Sequence, residues 1–363
     1  MLRFVTGLFA LLSCIAYAKK SPILLPYDAA KYAEARYFKN SRRFYEKQNI
    51  INLCSSIKIP GHANCYNGSL LKNGHHYDLF FREDFVGLGH KAGFFFSSLA
   101  KIGHVKLNHR FEVISDVTFI ELGHSPEDAR AFYYNNKLMI IYNDYSFAPS
   151  KATRTSYIAE LDRKTLQPIK TYRMQKRRRG LDKNWTPILD GAKEKELKLF
   201  YFIEPAQIIS FNFDNKKLST IHTEKAVKGH RRRLWRYGDI RGGTPVVKVD
   251  DKHLLAFFHS TRSLTRPKCT LYFMGAAVFE NKFPYKMVRI TRFPLTFTGC
   301  YTTPYSHYLD KARAVLFPIS LVVNDLENGR DKEILVSLGE NDSVTKIIKM
   351  KWSRLFGGMR RVD

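Results

Sequence analysis

Apolar and aromatic residues along most of this chain fall into short runs, and each run is closed by a polar, Gly or Pro cluster. Runs such as Tyr77 to Arg82 (YDLFFR), Lys137 to Tyr142 (KLMIIY), Leu197 to Ile203 (LKLFYFI) and His253 to His259 (HLLAFFH) have strand length and strand composition. Turn chemistry such as Asn135-Asn136-Lys137 and Asp214-Asn215-Lys216 separates neighbouring runs. The runs group into larger units. Each unit opens on a tight cluster: Asn67 (NGSLL), Glu127 (EDARAF), Asn184 (NWTPI), Gly242 (GGTPVV) and Thr303 (TPYSHY). These starts lie roughly 60 residues apart, and a period of that size with four strands per unit predicts a propeller. Only Asp28 to Gln48 carries a helical pattern. The expected fold is therefore all-β: a five-bladed β-propeller preceded by a short helical segment. Its innermost strands would gather their starts around one funnel, so the polar residues at those starts would converge.

The pattern also divides the chain. Met1-Leu2-Arg3, the apolar run Phe4 to Ile15 and the A-x-A triplet Ala16-Tyr17-Ala18 read as a secretory signal peptide, residues 1–18. Residues 19–60 form a helical and extended segment, and 61–363 the propeller. No later run is apolar for long enough to span a bilayer, so a secreted, periplasmic or luminal protein is expected. Cys14 leaves with the leader. Cys54, Cys65, Cys269 and Cys300 remain, which permits two disulfides in any of three connectivities. No Cys/His spacing typical of a zinc site is present, and no resident cofactor is implied.

Charge changes the picture of the partner. Sixty Lys and Arg against 33 Asp and Glu give a formal net charge of +27. Two dense runs, Lys176 to Arg179 and His230 to Arg233, each precede a unit start. A solvated basic surface accounts for such runs, and so does attraction to a polyanion: an acidic or phosphorylated glycan, or an anionic lipid. The leader and the absence of a reader motif disfavour nucleic acid.

Taken in order, the motifs YNGSLL, YDLFFR, EDARAFYY, KNWTPI, FYFIEP, RGGTPVV, FFHS, LYFMGAAVFE and SLGENDS resemble the five-bladed β-propeller glycosidase superfamily. The resemblance covers nearly all of the chain after the helical segment. It looks closest to the β-mannoside phosphorylases, their related hydrolases, and propeller domains linked to glycan synthesis. Each motif alone is weak; their order is specific for the fold more than for the reaction. In the phosphorylases a Glu-Asp-Pro-Arg motif opens the second blade and its Asp donates a proton. Glu127, Asp128 and Arg130 match it, with Ala129 in place of the Pro. The resemblance thus implies Asp128 as general acid, beside a carboxylate and an arginine that can tune it. The invertase-type pattern wants an Asp where this chain has Asn67, which argues against a retaining mechanism.

The remaining candidates are binding groups. Lys183 suits an anion, Asn184 a sugar hydroxyl and Trp185 a sugar face. Arg241 offers a guanidinium beside Gly242-Gly243, where backbone can approach a ligand closely. Asn67, Arg82 and His259 would complete the pocket. Glu204 is a candidate second catalytic carboxylate; Glu340 and Asp342 are weaker ones, Asp342 reading best as a turn residue. Asn67, Asn184 and Asn341 also begin formal glycosylation sequons that fall inside the fold motifs. The expected function is a carbohydrate-active enzyme that cleaves or transfers a glycosidic bond, with a β-mannoside as the leading substrate, by inverting chemistry. Inorganic phosphate is a candidate co-substrate. A non-catalytic glycan- or polyanion-binding propeller and a glycosyltransferase-like propeller are the alternatives.

Overall fold

Burial falls from the inside of each unit outwards. Cys65–Asn73 is buried over its first six residues, whereas no residue of Lys217–Thr223 is. This gradient is what a radial stack of sheets imposes, because inner strands are packed on both faces. The computed structural model describes residues 26–86, 98–148, 151–174, 183–191, 195–225, 234–265, 268–303, 312–326 and 329–362. The leader, both dense basic runs and the TPYSHY run beyond Thr303 lie outside these residues. So does most of the strand expected from Gly93 to Ser98.

The helical segment is present. Helix α1 (Pro26–Ala33) passes through a π turn (Glu34–Phe38) into α2 (Lys39–Lys47). Strand β1 (Ile51–Ile57) follows. The first sheet is β2 (Cys65–Asn73), β3 (His76–Val86), β4 (Ser98–Leu107) and β5 (Thr118–Ile120). The second is β6 (Pro126–Tyr134), β7 (Lys137–Ala148), β8 (Lys151–Leu161) and β9 (Pro168–Met174). Both are antiparallel meanders. Asn135 and Asn136, both at positive φ, make the tight β6–β7 turn that the sequence indicates.

Next come β10 (Thr186–Leu189), β11 (Glu196–Phe202), β12 (Gln207–Asn212) and β13 (Lys217–Thr223). The fourth unit has an interrupted inner strand, β14 (Asp239–Gly242) and β15 (Val246–Lys248), then β16 (His253–Thr265), β17 (Lys268–Glu280) and β18 (Met287–Thr291). A short parallel pairing of β10 with β15 joins the third and fourth meanders into one continuous sheet. The short β19 (Ala312–Ala314) pairs with β17. The last unit is β20 (Leu316–Asp325), β21 (Lys332–Glu340) and β22 (Val344–Lys351). Helix α3 (Trp352–Gly358) and β23 (Met359–Arg361) end the chain, with β23 added to β18.

Two expectations about the last unit change. Its innermost described strand is β20; of the strand expected from Tyr301 to His307, Tyr301 to Thr303 form a turn and the rest lies outside the described residues. Its outermost strand is β1, which pairs with β22 and so draws residues 51–57 out of the preceding segment and into the propeller. A ring of sheets must close on itself, and here the N-terminal strand closes the last sheet.

Aliphatic and aromatic side chains fill the space between sheets. Trp185 packs among Phe132, Met139 and Ile141 of the second unit and Leu197, Leu199 and Tyr201 of the third. Each such side chain contributes about 1.5–3 kcal/mol on burial. Cys54, Cys65, Cys269 and Cys300 are free thiols, so none of the three connectivities is made. Among the described residues no helix is long and apolar enough to cross a membrane.

Candidate active site

Register decides which side chains meet. In each unit the start of the inner strand lies opposite the end of the second: Tyr66 faces Arg82, Glu127 faces Asn143, Arg241 faces His259, and Leu316 faces Glu340. One end of the propeller therefore collects both sets. At that end the inner strands are bulged. The register shifts between Tyr66 and Ser69 and again between Glu127 and Arg130. Asn67 and Asp128 sit in these bulges at φ 50° and 53°, and Asn184 at φ 64° begins the third unit in the same conformation. Asn and Asp tolerate this left-handed backbone better than other side chains. A bulge re-aims its residue, which carries Asn67, Asp128 and Asn184 toward the axis and swings Ala129 and Trp185 into the core.

Asp128 is buried and is the hub of the site. Asn67 Nδ2 donates to its Oδ1 at 2.7 Å. Arg82 lies 3.7 Å from the same oxygen, while its other nitrogens bind Asp84 at 2.6 and 3.0 Å and Glu127 at 2.9 Å. Arg154 holds the second oxygen of Glu127 at 2.7 Å, and the Tyr66 hydroxyl donates to Asp84 at 2.9 Å. Arg130 spans three units: it donates to the carbonyl of Gly243, to that of Asp128 at 3.0 Å and to Asn184 Oδ1 at 3.2 Å. Its guanidinium also lies over the Phe317 ring.

This packing fixes the charges. Burial pushes the Asp128 carboxyl up, but Arg82, Lys183, Arg130 and Arg154 together overcome it and hold the group below the usual carboxylate range. Asp128 is therefore ionised in the free protein. Burial lowers Arg130 to about 10, against the pull of Asp128, and leaves it protonated at neutral pH. Burial and the Arg154 charge lower Lys183 to about 8, with Asp128 and Glu127 opposing and Arg241 adding to the repulsion. His259 is held well below its ordinary value by burial, Lys183, Arg130 and Arg241, so its imidazole is neutral. It stacks on Tyr272 and packs on Phe317.

Two features mark the site as made for a polar ligand. Asn184 Nδ2, Arg154 Nε and His259 Nδ1 are buried without a hydrogen-bond partner among the described residues, which costs about 1–3 kcal/mol each unless a ligand supplies one. The cations are also unequal. Arg82 and Arg154 are spent on Asp84 and Glu127, and Arg130 on carbonyls and Asn184. Lys183 and Arg241 make no hydrogen bond or ion pair with the described residues and stand near each other and near His259.

The structure thus brings Asn67, Arg82, Glu127, Asp128, Arg130, Lys183, Asn184, Arg241 and His259 to one mouth. Three expectations are corrected. Trp185 is a core residue: it follows the left-handed Asn184, and its ring packs between sheets. Gly242 and Gly243 do not leave room for a ligand: a Cβ on Gly242 would overlap Asn184 O and Thr186 Oγ1, and one on Gly243 would overlap Phe257 O. Glu204 accepts from the Leu234 N–H at 3.3 Å, in a turn between β11 and β12, rather than joining the Asp128 cluster. Glu340 is wholly buried and clamps a loop, accepting from the N–H groups of Tyr301, Thr302 and Thr303 and from Lys346. Asp342, by contrast, sits at the mouth in a left-handed turn and acts electrostatically on Tyr66 and Tyr272. Tyr66, Asp84, Arg154 and Tyr272 also belong to the site. Register would have found Tyr66 opposite Arg82; Arg154, on a third strand, carries no sequence signal. The sequon residues Asn67, Asn184 and Asn341 are all buried, so their side chains are closed to glycan attachment.

No protein-family model and no curated protein matches the sequence. Solved structures match the fold. MPT-1, a GDP-Man-dependent mannosyltransferase from Leishmania mexicana, aligns with a TM-score of 0.55 over 90% of this chain and 98% of its own, at 12% identity. MPT-4, a mannose phosphorylase from the same organism in complex with phosphate ion, aligns at 0.54 over 92% and 96%, with 10% identity. A β-1,2-mannobiose phosphorylase from Listeria innocua, in complex with β-1,2-mannobiose, aligns at 0.53 over 86% and 97%, with 13% identity. At these identities the likeness is one of fold.

Proposed function

We propose that this protein is a carbohydrate-active enzyme that makes or breaks a glycosidic bond by inverting displacement, with a mannoside as the sugar and inorganic phosphate as the partner. The observation that carries this reading is the buried Asp128, pinned by Asn67 and ringed by cations, of which Lys183 and Arg241 remain uncommitted. An uncommitted cation pair beside a carboxylate suits an anionic nucleophile. Hydrolysis by inversion needs a free base to activate water, and here Glu127 and Asp84 are both held in ion pairs. Phosphate needs no such base.

The residues divide the work. Lys183 and Arg241 receive the phosphate, whose oxygen attacks the anomeric carbon. The bond from that carbon to the leaving oxygen breaks, and Asp128 delivers the proton that oxygen needs. Asp128 is ionised in the free protein, and an anion arriving at Lys183 cancels part of the field that keeps it so. Asp128 thus takes a proton from water as the substrates assemble and passes it to the leaving oxygen, while the proton of the attacking hydrogen phosphate is released to water from the sugar phosphate. Asn184 and His259 supply hydrogen bonds to sugar or phosphate hydroxyls. Run in reverse, the same site transfers a sugar from a sugar phosphate to an acceptor hydroxyl, and a nucleotide-activated donor would meet the same cations.

The test is a panel of β-mannosides and β-mannooligosaccharides incubated with and without phosphate. Phosphate-dependent release of mannose 1-phosphate is expected, with Asp128→Asn reducing turnover by at least about 100-fold. Glycan binding without turnover in any arm would make the protein a binding propeller instead. The leader reading assigns the protein to a secreted or luminal compartment, and a mature N-terminus at Lys19 is the expected result of sequencing it.

A further inference from the structure

The net charge of +27 is not absorbed by the funnel, where most cations are paired internally. A second cationic feature lies at the outer edge of the fourth unit. There β23 adds to β18, and Arg289 stands directly opposite Arg361 in the antiparallel register. Directly opposed residues share a face of the sheet, about 5 Å apart at Cβ, and like charges so placed destabilise the pairing. The repulsion is felt: burial and the Arg361 charge lower Arg289 from its ordinary value. No ion pair to either arginine is formed among the described residues.

Arg289 is nevertheless firmly oriented. Its NH1 donates to the carbonyls of Phe356 at 3.4 Å and Met359 at 3.2 Å, and its guanidinium lies 4.1 Å from the centre of the Phe356 ring. A cleft of about 450 Å³ opens beside it, lined by Lys252, His253, Glu280, Arg289, Phe356 and Arg361 among others. His253 is engaged by Asp250 and packs edge-on against Phe356. Among the described residues Glu280 is the single carboxylate on the lining, against Lys252 and two arginines. Two guanidiniums thus face each other beside the Phe356 ring, Arg289 held by two carbonyls and Arg361 exposed, with no ion pair to either among the described residues.

We infer that this cleft between β18, β23 and α3 is a second carbohydrate site, which binds a sugar residue carrying an anionic group. The guanidinium forks suit the planar or tetrahedral oxygens of a carboxylate or phosphate, and Phe356 with Val288 and Val362 offers the sugar an apolar wall. His253 of the cleft stands six residues before His259 on β16, about 20 Å away along an extended strand, so the site is separate from the funnel and independent of the reaction proposed there. It would hold an acidic glycan on the protein's flank, with the overall positive charge assisting its capture.

Calorimetric titration of the full chain tests this, in a Lys183→Ala background that weakens anion binding in the funnel. Mannose 6-phosphate, galacturonate, neutral mannose and inorganic phosphate are the probes. One or both anionic sugars should bind, which also tells a phosphorylated from a carboxylated glycan. Neutral mannose should bind, if at all, only in the funnel and equally well in Arg361→Glu, and inorganic phosphate should bind the Arg361-dependent site more weakly than the sugars. Arg361 is exposed, so Arg361→Glu should fold, and it should weaken the anionic sugar at least about tenfold, Arg361→Ala less so. Equal binding by the parent and Arg361→Glu overturns the inference. So does inorganic phosphate binding as tightly as the sugars in a manner that Arg361→Glu abolishes, because the cleft would then recognise no sugar.

Discussion

Lys183 offers the sharpest test of the funnel's electrostatics, because its charge is both needed for an anion and opposed by its surroundings. Burial and the Arg154 charge take it from 10.5 to about 8. Sulfate keeps a constant charge across the relevant pH range, so any pH dependence of its binding belongs to the protein. In an Arg361→Glu background, where the flank site is suppressed, sulfate affinity should be level below pH 8. Above that it should fall about tenfold per unit, giving roughly a tenfold loss between pH 7 and pH 9. Lys183→Arg, which stays protonated, should remove the break. The same shift predicts a stability effect of opposite sense. Between pH 8 and 10.5 the unfolded chain holds the lysine proton and the folded chain does not, so stability rises with pH through that window. The full penalty is present below pH 8. It corresponds to about 3 kcal/mol, reduced to about 1–3 kcal/mol because Lys183 keeps some surface at the mouth. Lys183→Met should therefore raise the urea midpoint at pH 7 while weakening sulfate. A wild-type binding profile that stays flat through pH 9, or a Lys183→Met protein less stable than its parent, would refute the reasoning.

Two further substitutions test the corrected roles. Trp185→Ala should cost about 3–5 kcal/mol in chemical denaturation, as expected for a ring lost from a packed interior. Trp185→Phe should keep its affinity for a mannoside, and a selective loss of sugar binding at unchanged stability would return the ring to the ligand. Gly243→Ala would overlap Phe257 O, sit 2.8 Å from Pro318 Cγ and disturb the carbonyl that holds Arg130; a loss of about 1–3 kcal/mol is expected. Gly357→Ala, with nothing within 4 Å of its Cβ in the C-terminal helix, is the matched control and should be neutral or slightly stabilising.

The sequence carries the fold better than it carries the site, and the reason is visible residue by residue. Alternating apolar runs and turn chemistry depend on a few neighbours, so four unit starts and the helical segment are legible. The last unit is not, because its outermost strand is contributed by Ile51–Ile57, nearly three hundred positions before its partner Val344–Lys351. Spacing alone cannot reveal a pairing that exists only to close a ring. The expected fifth start at Thr303 differs from the observed β20 for the same reason: without β1 the unit reaches four strands only if one is placed before β20.

At the site, spacing identifies where an inner strand begins but not which residue of the cluster faces the axis. That choice is made by the bulge. In the first three clusters one residue takes the left-handed conformation, and it is the Asn or Asp; the next residue is turned into the core. In KNWTPI this separates Asn184 from Trp185, and in EDARAF it separates Asp128 from Ala129. The aromatic residue that a sugar-binding reading favours is thereby removed from the site. The short polar residue beside it is the one that a left-handed position selects. The glycines of RGGTPVV obey the same geometry from the other side: the inner strands crowd so closely at the axis that a Cβ there would strike neighbouring backbone. The left-handed Asn67 and Asp128, and the carbonyl of Gly243 that anchors Arg130, are therefore one device, in which the close packing that closes the ring also aims its polar groups. Asp342 shows the limit of reading chemistry from a turn signature. Its Asn-Asp pair is a genuine left-handed turn, yet the register of β20 with β21 sets that turn at the mouth. A turn residue and a site residue are the same residue wherever a hairpin points at the axis.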